Sequence, residues 1–564
     1  MFLRSSTQKR ADGSVITHLQ IAESTWSSKK KRAETRIVYN CGRAEDEATI
    51  EKLRKLARSI LRRCSPEELA AADSGWKLID SWPFGDLYAI ELLWERLGIR
   101  EAIEAEVGQR RFGFSVERAL FVMIANRLCA PSSKLYCWEQ WLREDVRVRG
   151  TDGLELQHLY RAMDFLEAHR DRLEEAIFFR VSSLLNLEVD LIFYDTTSLH
   201  FEVDQEDRGA GEQDWVPGSK LAGAKRYKAP RKRGYSKNGR TDAPQIVVGL
   251  AVTREGIPVR HWVFPGNTVD VTTVKQIRTD LRGWRMTRCV FVGDAGMVSE
   301  KNLEELSRGG GKYIVCMPTG REKEVADDVL SRAGRFKQVA PNLRVKEVVV
   351  GDGERRRRYV VCHNPDEQRR QCEHRLEILR ELEAELASLA DVDSGQQHHK
   401  RVCQLRASGR YGRYLTLTPT GRLRLDEKRL RELERLDGKF VVQTNDDTLT
   451  PQDLALGYKQ LQRVEQAWRT LKSGLKLRPV FHWAPHRIHA HVALTVLALM
   501  LERVAEEACT DTWRNIRDDL KQIKLAQLLS PHGQVWQTTE PRPAARSRMK
   551  CLGIDGLPLI LDLA

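Results

Sequence analysis

The stretch Val189-Asp-Leu-Ile-Phe-Tyr-Asp195-Thr-Thr197 reads as a strand whose apolar run is interrupted by a carboxylate. An acid there is costly to desolvate unless it has a use. Outward from it, a Gly-, Lys- and Arg-rich excursion covers about 205–243. Two hairpin strands follow, Gln245-Ile-Val-Val-Gly-Leu-Ala-Val-Thr253 and Val259-Arg-His-Trp-Val-Phe264, joined by a Gly-Ile-Pro turn. A helix fits 271–282, and a strand over 289–292 delivers Asp294. A second helix fits 300–308, and a further strand fits 313–317.

The order is three strands, helix, strand, helix, strand. It predicts an α/β fold, a mixed sheet with crossover helices of the ribonuclease H type. Around this core the composition divides the chain. Residues 1–45 predict a small N-terminal β-rich segment with a basic turn at Lys29-Lys-Lys-Arg32. Residues 46–185 are helical in pattern, a possible DNA-binding region. The first part of the core spans 186–318, and 319–437 reads as a β-rich insertion that splits it. The core resumes over 438–510, and 511–564 forms a C-terminal tail.

Hydrophobic residues make up 41% and charged residues 30% of 564, which predicts a globular protein with ample core. The net charge of +14 favours a polyanionic partner. No unbroken run of about 18 apolar residues predicts a membrane span, and no apolar signal core opens the chain, so a cytoplasmic location is expected. The eleven cysteines are scattered without a Cys-x-x-Cys pair, which argues against a disulfide framework. Cys362-His363 with Cys372 and His374 has poor spacing for one tetrahedral zinc.

A second informative stretch is Tyr458-Lys-Gln-Leu-Gln-Arg-Val-Glu-Gln-Ala-Trp-Arg-Thr-Leu-Lys472. Leu461, Val464, Trp468, Leu471 and Leu475 follow the spacing of one buried helix face. Tyr458, Glu465 and Lys472, seven residues apart, would form a second stripe beside it. Asp195, Asp294 and Glu465 can then converge at one end of the sheet. Three such carboxylates suit two Mg²⁺ ions about 4 Å apart, which together serve in-line displacement at phosphorus. Asp190, Glu202, Asp204 and Glu300 compete for these roles, but their contexts read as strand opening, solvent face or helix first turn.

These motifs resemble a DDE transposase of the IS4-like superfamily, with the IS1634-type insertion-sequence transposases as the nearest group. The resemblance is carried by Phe-Tyr-Asp195-Thr-Thr, Val-Gly-Asp294-Ala-Gly-Met-Val-Ser and the Tyr458/Glu465/Lys472 helix. Gly234-Tyr-Ser-Lys-Asn-Gly-Arg-Thr-Asp242-Ala-Pro-Gln, Phe264-Pro-Gly-Asn-Thr268 and Leu475-Lys-Leu-Arg-Pro-Val-Phe-His482 extend it over about 15–510. It implies a ribonuclease H-like core with an insertion before the glutamate. It also implies metal-dependent cleavage at the ends of a mobile element, followed by 3′-hydroxyl strand transfer. The implied cofactor is Mg²⁺, two ions with Mn²⁺ as substitute. The implied partners are double-stranded DNA, as element ends and target, and a second copy of the chain in a synaptic complex; a nucleoid-associated location follows.

The family places an arginine four residues before its glutamate, where this chain has Leu461. Arg463 lies two before, turned about 200° from Glu465 on an ideal helix. Arg469, one turn after Glu465, is the expected replacement, and Lys472 the expected phosphate grip. In the basic excursion, Tyr235, Lys237 and Arg240 are expected to follow DNA, with Tyr227 and Tyr235 stacking on bases. Two other readings use the same residues: a hydrolytic nuclease without strand transfer, or a DNA-binding protein with a decayed site.

Overall fold

The computed structural model describes the chain except residues 11–13, 29, 66–76, 208–211, 214–226, 229, 238, 287, 319–324, 354–355, 391–394, 420, 531–532 and 562–564. The chain forms two compact units. The smaller comprises Met1–Ser81, Ala526–Gln537 and Ile560–Asp562. Its first strands, Phe2–Lys9, Val15–Ser27 and Arg32–Arg43, make an antiparallel meander. The basic turn falls between the last two, with Lys29 outside the described residues. Helix Glu47–Leu61 follows, its Asp46 side chain accepting from the Ala48 N–H. The 46–185 stretch also holds a strand, Lys77–Pro83, which joins a sheet with Lys524–Ser530, Gly533–Thr538 and Ile560–Leu561. Pairing partners some 440 residues away left no local pattern to mark it.

The larger unit is built on one mixed sheet. Its strands are β1 (Leu191–His200), β2 (Gln245–Val252), β3 (Pro258–Pro265), β4 (Val290–Gly293), β5 (Lys312–Met317), β6 (Lys337–Ala340), β7 (Leu343–Val350), β8 (Arg357–His363) and β9 (Lys439–Thr444). The spatial order is β6-β7-β8-β9-β5-β4-β1-β2-β3. β1, β2 and β3 are antiparallel neighbours; β4 runs parallel to both β1 and β5. β9 returns antiparallel to β5 and to β8.

The helices that matter for the site are α1 (Val116–Cys129), α2 (Leu156–Leu184), α3 (Asp270–Gly283), α4 (Glu300–Ser307), α5 (Pro365–Ala390), α6 (Pro451–Lys459), α7 (Gln462–Arg469) and α8 (Pro485–Cys509). The sheet is covered on both faces, so its strands are apolar on both sides. Leu191 and Phe193 of β1 join the core formed with α1, α2, α7 and α8. Ile192 and Tyr194 point the other way, into the core under α3.

Two sequence expectations change here. The 319–437 segment was expected to be β-rich, with one long charged helix over 367–389. Its strands β6, β7 and β8 extend the main sheet, and it also holds α5, Gln396–Ala407 and Glu427–Leu436. Arg375 of α5 makes a buried bidentate pair with Asp437, at 2.7 and 2.5 Å, where the chain returns to β9. Second, α8 is long and apolar enough to cross a membrane by length and composition, although no unbroken apolar run marked it. In its most apolar window 89% of residues are buried inside the protein, where α8 packs on α1, α2 and β3.

Candidate active site

Strand register builds the site. β4 pairs with β1 in parallel, Gly293 opposite Tyr194, and the pairing stops there. Asp195 and Asp294 are the next residues on the two strands, so they leave adjacent strands at the same level, about 5 Å apart in the pairing direction. By strand alternation Asp195 falls on the face of Leu191 and Phe193, which is the face packed by α7. Thr196 falls on the opposite face, toward α3.

Asp195 is half-buried, whereas Asp294 is exposed where β4 turns into a short 3₁₀ segment, Ala295–Met297. Burial pushes the Asp195 carboxyl above the usual carboxylate range; the nearby Lys237 ammonium opposes this, and the charges of Asp294 and Asp270 add to it. Tyr458 donates to Asp294 Oδ1 at 3.4 Å, a long bond. Its ring packs on Phe440, and burial pushes its phenol up, with Cys316 and Asp294 adding to the shift.

The single helix expected over Tyr458–Lys472 is broken. α6 ends at Lys459, and tight i→i+3 bonds bridge the gap: Leu461 N–H to the Tyr458 carbonyl and Val464 N–H to the Leu461 carbonyl. The turn seats Leu461 in the core and re-aims the chain before α7. After Arg469 a π-helical turn, Thr470–Gly474, shifts Lys472 again. Tyr458, Glu465 and Lys472 therefore share no single helix stripe. Lys472 is half-buried: burial lowers its ammonium's affinity for the proton, Arg478 adds to this, and the Asp195 carboxylate opposes it.

Val464, Ala467 and Trp468 bury one face of α7, as the spacing predicted. Glu465 is exposed, and so are Arg463 and Arg469. The second stripe expected beside the buried face does not bury Glu465, which the packed side of α7 leaves on its rim. Among the described residues, no three His, Cys, Asp or Glu side chains stand close enough together to hold a metal. The pair brought together is Asp195 with Asp294, and Glu465 lies outside it.

The basic excursion enters the site at Lys237. Its ammonium lies 3.6 Å from Asp195 Oδ1 and 3.0 Å from Asp270 Oδ2. It also donates to the Thr196 carbonyl and to Thr196 Oγ1, both at 2.8 Å. Tyr235 is exposed, whereas Arg240 is held by Asp242 at 2.9 Å with Glu202 at 3.7 Å. The Tyr227 side chain lies outside the described residues. Three of the four competing acids are engaged elsewhere. Asp190 pairs with Arg254, Glu202 with His200, and Glu300 with Arg357 from the first turn of α4. Cys362 is buried in β8 and His363 bonds Gln368, so neither is arranged as a zinc ligand.

Asp270 is the functional candidate that sequence reasoning passed over. It opens α3, two residues beyond Phe264-Pro-Gly-Asn-Thr268, and an acid in a helix's first turn is ordinary. Its only sequence signal was that neighbouring motif.

Family comparison gives two matches. The transposase DDE domain model matches residues 216–501, and the N-terminal domain model of the IS1634 family transposases matches residues 3–72. The first span includes Asp294 and Glu465 and begins after Asp195. Among solved structures, a cryo-EM structure of a piggyBac transposase synaptic complex with hairpin DNA aligns over 83% of this chain and 79% of its own. It shares 8% identity with this chain at a TM-score of 0.32. No curated protein matches the chain.

Proposed function

Because this chain belongs to the DDE transposases of the IS1634 type, we propose that it cuts DNA at the ends of its insertion sequence and joins the freed 3′-hydroxyls to target DNA. The observation that carries the reading is the register that brings Asp195 and Asp294 off adjacent parallel strands beside α7. The order β3-β2-β1-β4-β5, three antiparallel strands and then two parallel ones, supports a ribonuclease H-like core. Of the remaining strands, β6, β7 and β8 enter through the insertion at 319–437, and β9 belongs to the stretch that follows it.

The donor set suits Mg²⁺. Asp195, Asp294 and Glu465 offer hard carboxylate oxygens, and the mutual charge of the two aspartates favours a cation between them. Asp195 and Asp294 would hold the metal, and Glu465, which stands outside that pair on α7, would have to move in to complete the set; Mn²⁺ would serve as well. When bound, the two ions supply Lewis-acid activation of the attacking oxygen and of the leaving oxygen. The chain's own residues do the rest. Tyr458 steadies the Asp294 carboxylate. Lys472 and Lys237 present cations to the phosphate beside Asp195. Arg463, Arg469 and Tyr235 face outward toward the DNA backbone, whereas Arg240 would have to leave Asp242 and Glu202 to reach it. Both chemical steps are in-line displacements at phosphorus, so one site serves cleavage and strand transfer. Two element ends require a dimer on DNA, and the working location is the nucleoid.

The test is cleavage of a duplex carrying the terminal repeat, with purified protein and Mg²⁺. Asp195→Ala, Asp294→Ala and Glu465→Ala should each lower the rate by about a thousandfold, equivalent to losing about 4 kcal/mol of transition-state stabilisation. Binding to the duplex should change little in each and weaken steeply with salt in all. Normal cleavage by all three variants would refute the assignment.

A further inference from the structure

Four oxygens surround the Lys237 ammonium: the Thr196 carbonyl and hydroxyl, Asp270 Oδ2 and, at 3.6 Å, Asp195 Oδ1. The Thr196 hydroxyl in turn donates to Asp270 Oδ1 at 2.5 Å, so it links the other two side chains. The Asp270 carboxylate also lies against the Asp294 turn, since a Cβ placed on Gly296 would sit 3.6 Å from Asp270 Oδ2. Asp270 thus reaches from the α3 face of the sheet to the level at which both site aspartates emerge.

The backbone around Lys237 is fixed independently. Gly234 and Gly266 pack main chain to main chain: a Cβ on Gly234 would meet the Gly266 carbonyl at 2.3 Å, and one on Gly266 would meet the Gln245 and Lys232 carbonyls at 2.0 and 2.1 Å. Gln245 Nε2 donates to the Tyr235 and Gly266 carbonyls, and the Lys237 N–H donates to Ser198 Oγ. The loop that carries Lys237 and the turn that leads into Asp270 are therefore docked on one crossing. A lysine with no task beyond trailing a DNA backbone has no need of such support.

We propose that Lys237 is a catalytic residue whose ammonium contacts the scissile phosphate beside Asp195, and that Asp270, acting through Thr196, is the positioning residue that aims it. The inference rests on the transposase reading above. The ammonium exchanges one of the three N–H contacts it makes with Thr196 and Asp270 for a non-bridging phosphate oxygen, where charge builds during displacement, and its position is already set. A lysine free to swing would give up that advantage, because small misplacements are costly in rate.

The experiment measures single-turnover cleavage of a labelled terminal-repeat duplex by the full chain, with equilibrium binding of the same duplex measured without divalent metal. Lys237→Met should slow cleavage about 100-fold, the usual cost of one preorganised donor, with binding changed less than about threefold. Asp270→Asn and Thr196→Val should slow cleavage with binding retained, while Thr196→Ser keeps the hydroxyl and the wild-type rate. Asp270→Asn added to Lys237→Met should cause no further loss, because both act through one group. A thermal melt of each variant separates misfolding from misplacement. The proposal is overturned if Asp270→Asn cleaves at the wild-type rate, if the two losses multiply, or if the Lys237→Met loss lies in binding. Asp195→Ala run alongside separates the two claims. If it cleaves normally, the transposase site itself is wrong; if it is inactive while Lys237→Met and Asp270→Asn are normal, only this inference fails.

Discussion

Asp195 and Asp294 show how far single residues could be read. Each stood out because an acid closed or broke an apolar run, and the parallel register places them level on neighbouring strands. Glu465 was legible as a helix acid beside a buried stripe, but not its exposure. Tyr458 was expected on the strength of helical phase with Glu465; it reaches Asp294 from α6, which ends at Lys459, and not from the helix that carries Glu465. Neither Gly nor Pro lies between Lys459 and Gln462, so no local residue announced the break. The length of that contact sets its worth. At 3.4 Å the hydroxyl is beyond a strong O–H···O bond. Tyr458→Phe should therefore slow cleavage by less than about tenfold, the equivalent of one ordinary hydrogen bond. Single-turnover kinetics check this; a loss as large as that of Asp294→Ala would mean that the phenol does more than steady its neighbour.

At the scale of elements, strands β1 to β5 were readable because both faces of the sheet are buried, and apolar runs bounded by turns mark such strands. The insertion was harder to read. Its strands complete the main sheet only through β9, more than 70 residues downstream of β8, and charged helices fill the interval. The loop over 230–240 was read as a basic DNA contact, and its glycine docking was invisible because Gly266 lies in a different motif. That docking has a measurable consequence. Gly266→Ala must push apart two carbonyls that its Cβ would meet at 2.0 and 2.1 Å, neither of them a flexible side-chain end. We expect a stability loss of about 1–3 kcal/mol, typical of overpacking, together with a fall in cleavage as Lys237 is displaced. Gly283→Ala, where nothing lies within 4 Å of the new Cβ, is the control and should leave both unchanged. Urea unfolding and cleavage assays on the two variants make the comparison; equal behaviour would show that the loop adjusts without cost.

At the scale of the whole molecule, the apolar helix α8 is the spine of the larger unit, and it carries a buried acid at odds with its surroundings. Glu502 is 7% exposed among apolar neighbours. Burial raises its carboxyl to about 8, Glu506 adds to the shift, and Arg503 and Arg517 oppose it. An unfolded glutamate ionises near 4.5. Between these values the folded chain holds a proton that the unfolded chain has released, so stability falls as pH rises from about 4.5 through about 8. Below that window both states are protonated and the penalty is absent; above it both are ionised and the penalty is complete. The shift sets an upper bound of about 5 kcal/mol at about 1.4 kcal/mol per unit. Glu502→Gln keeps the shape and removes the charge. Its melting temperature should match the wild type near pH 4.5, rise above it progressively through neutral pH, and keep a constant lead of at least about 2 °C beyond pH 9. Melting curves for both proteins at pH 5, 7 and 9 decide it, and a lead that shrinks with rising pH would mean that Glu502 is ionised and paired in the folded chain.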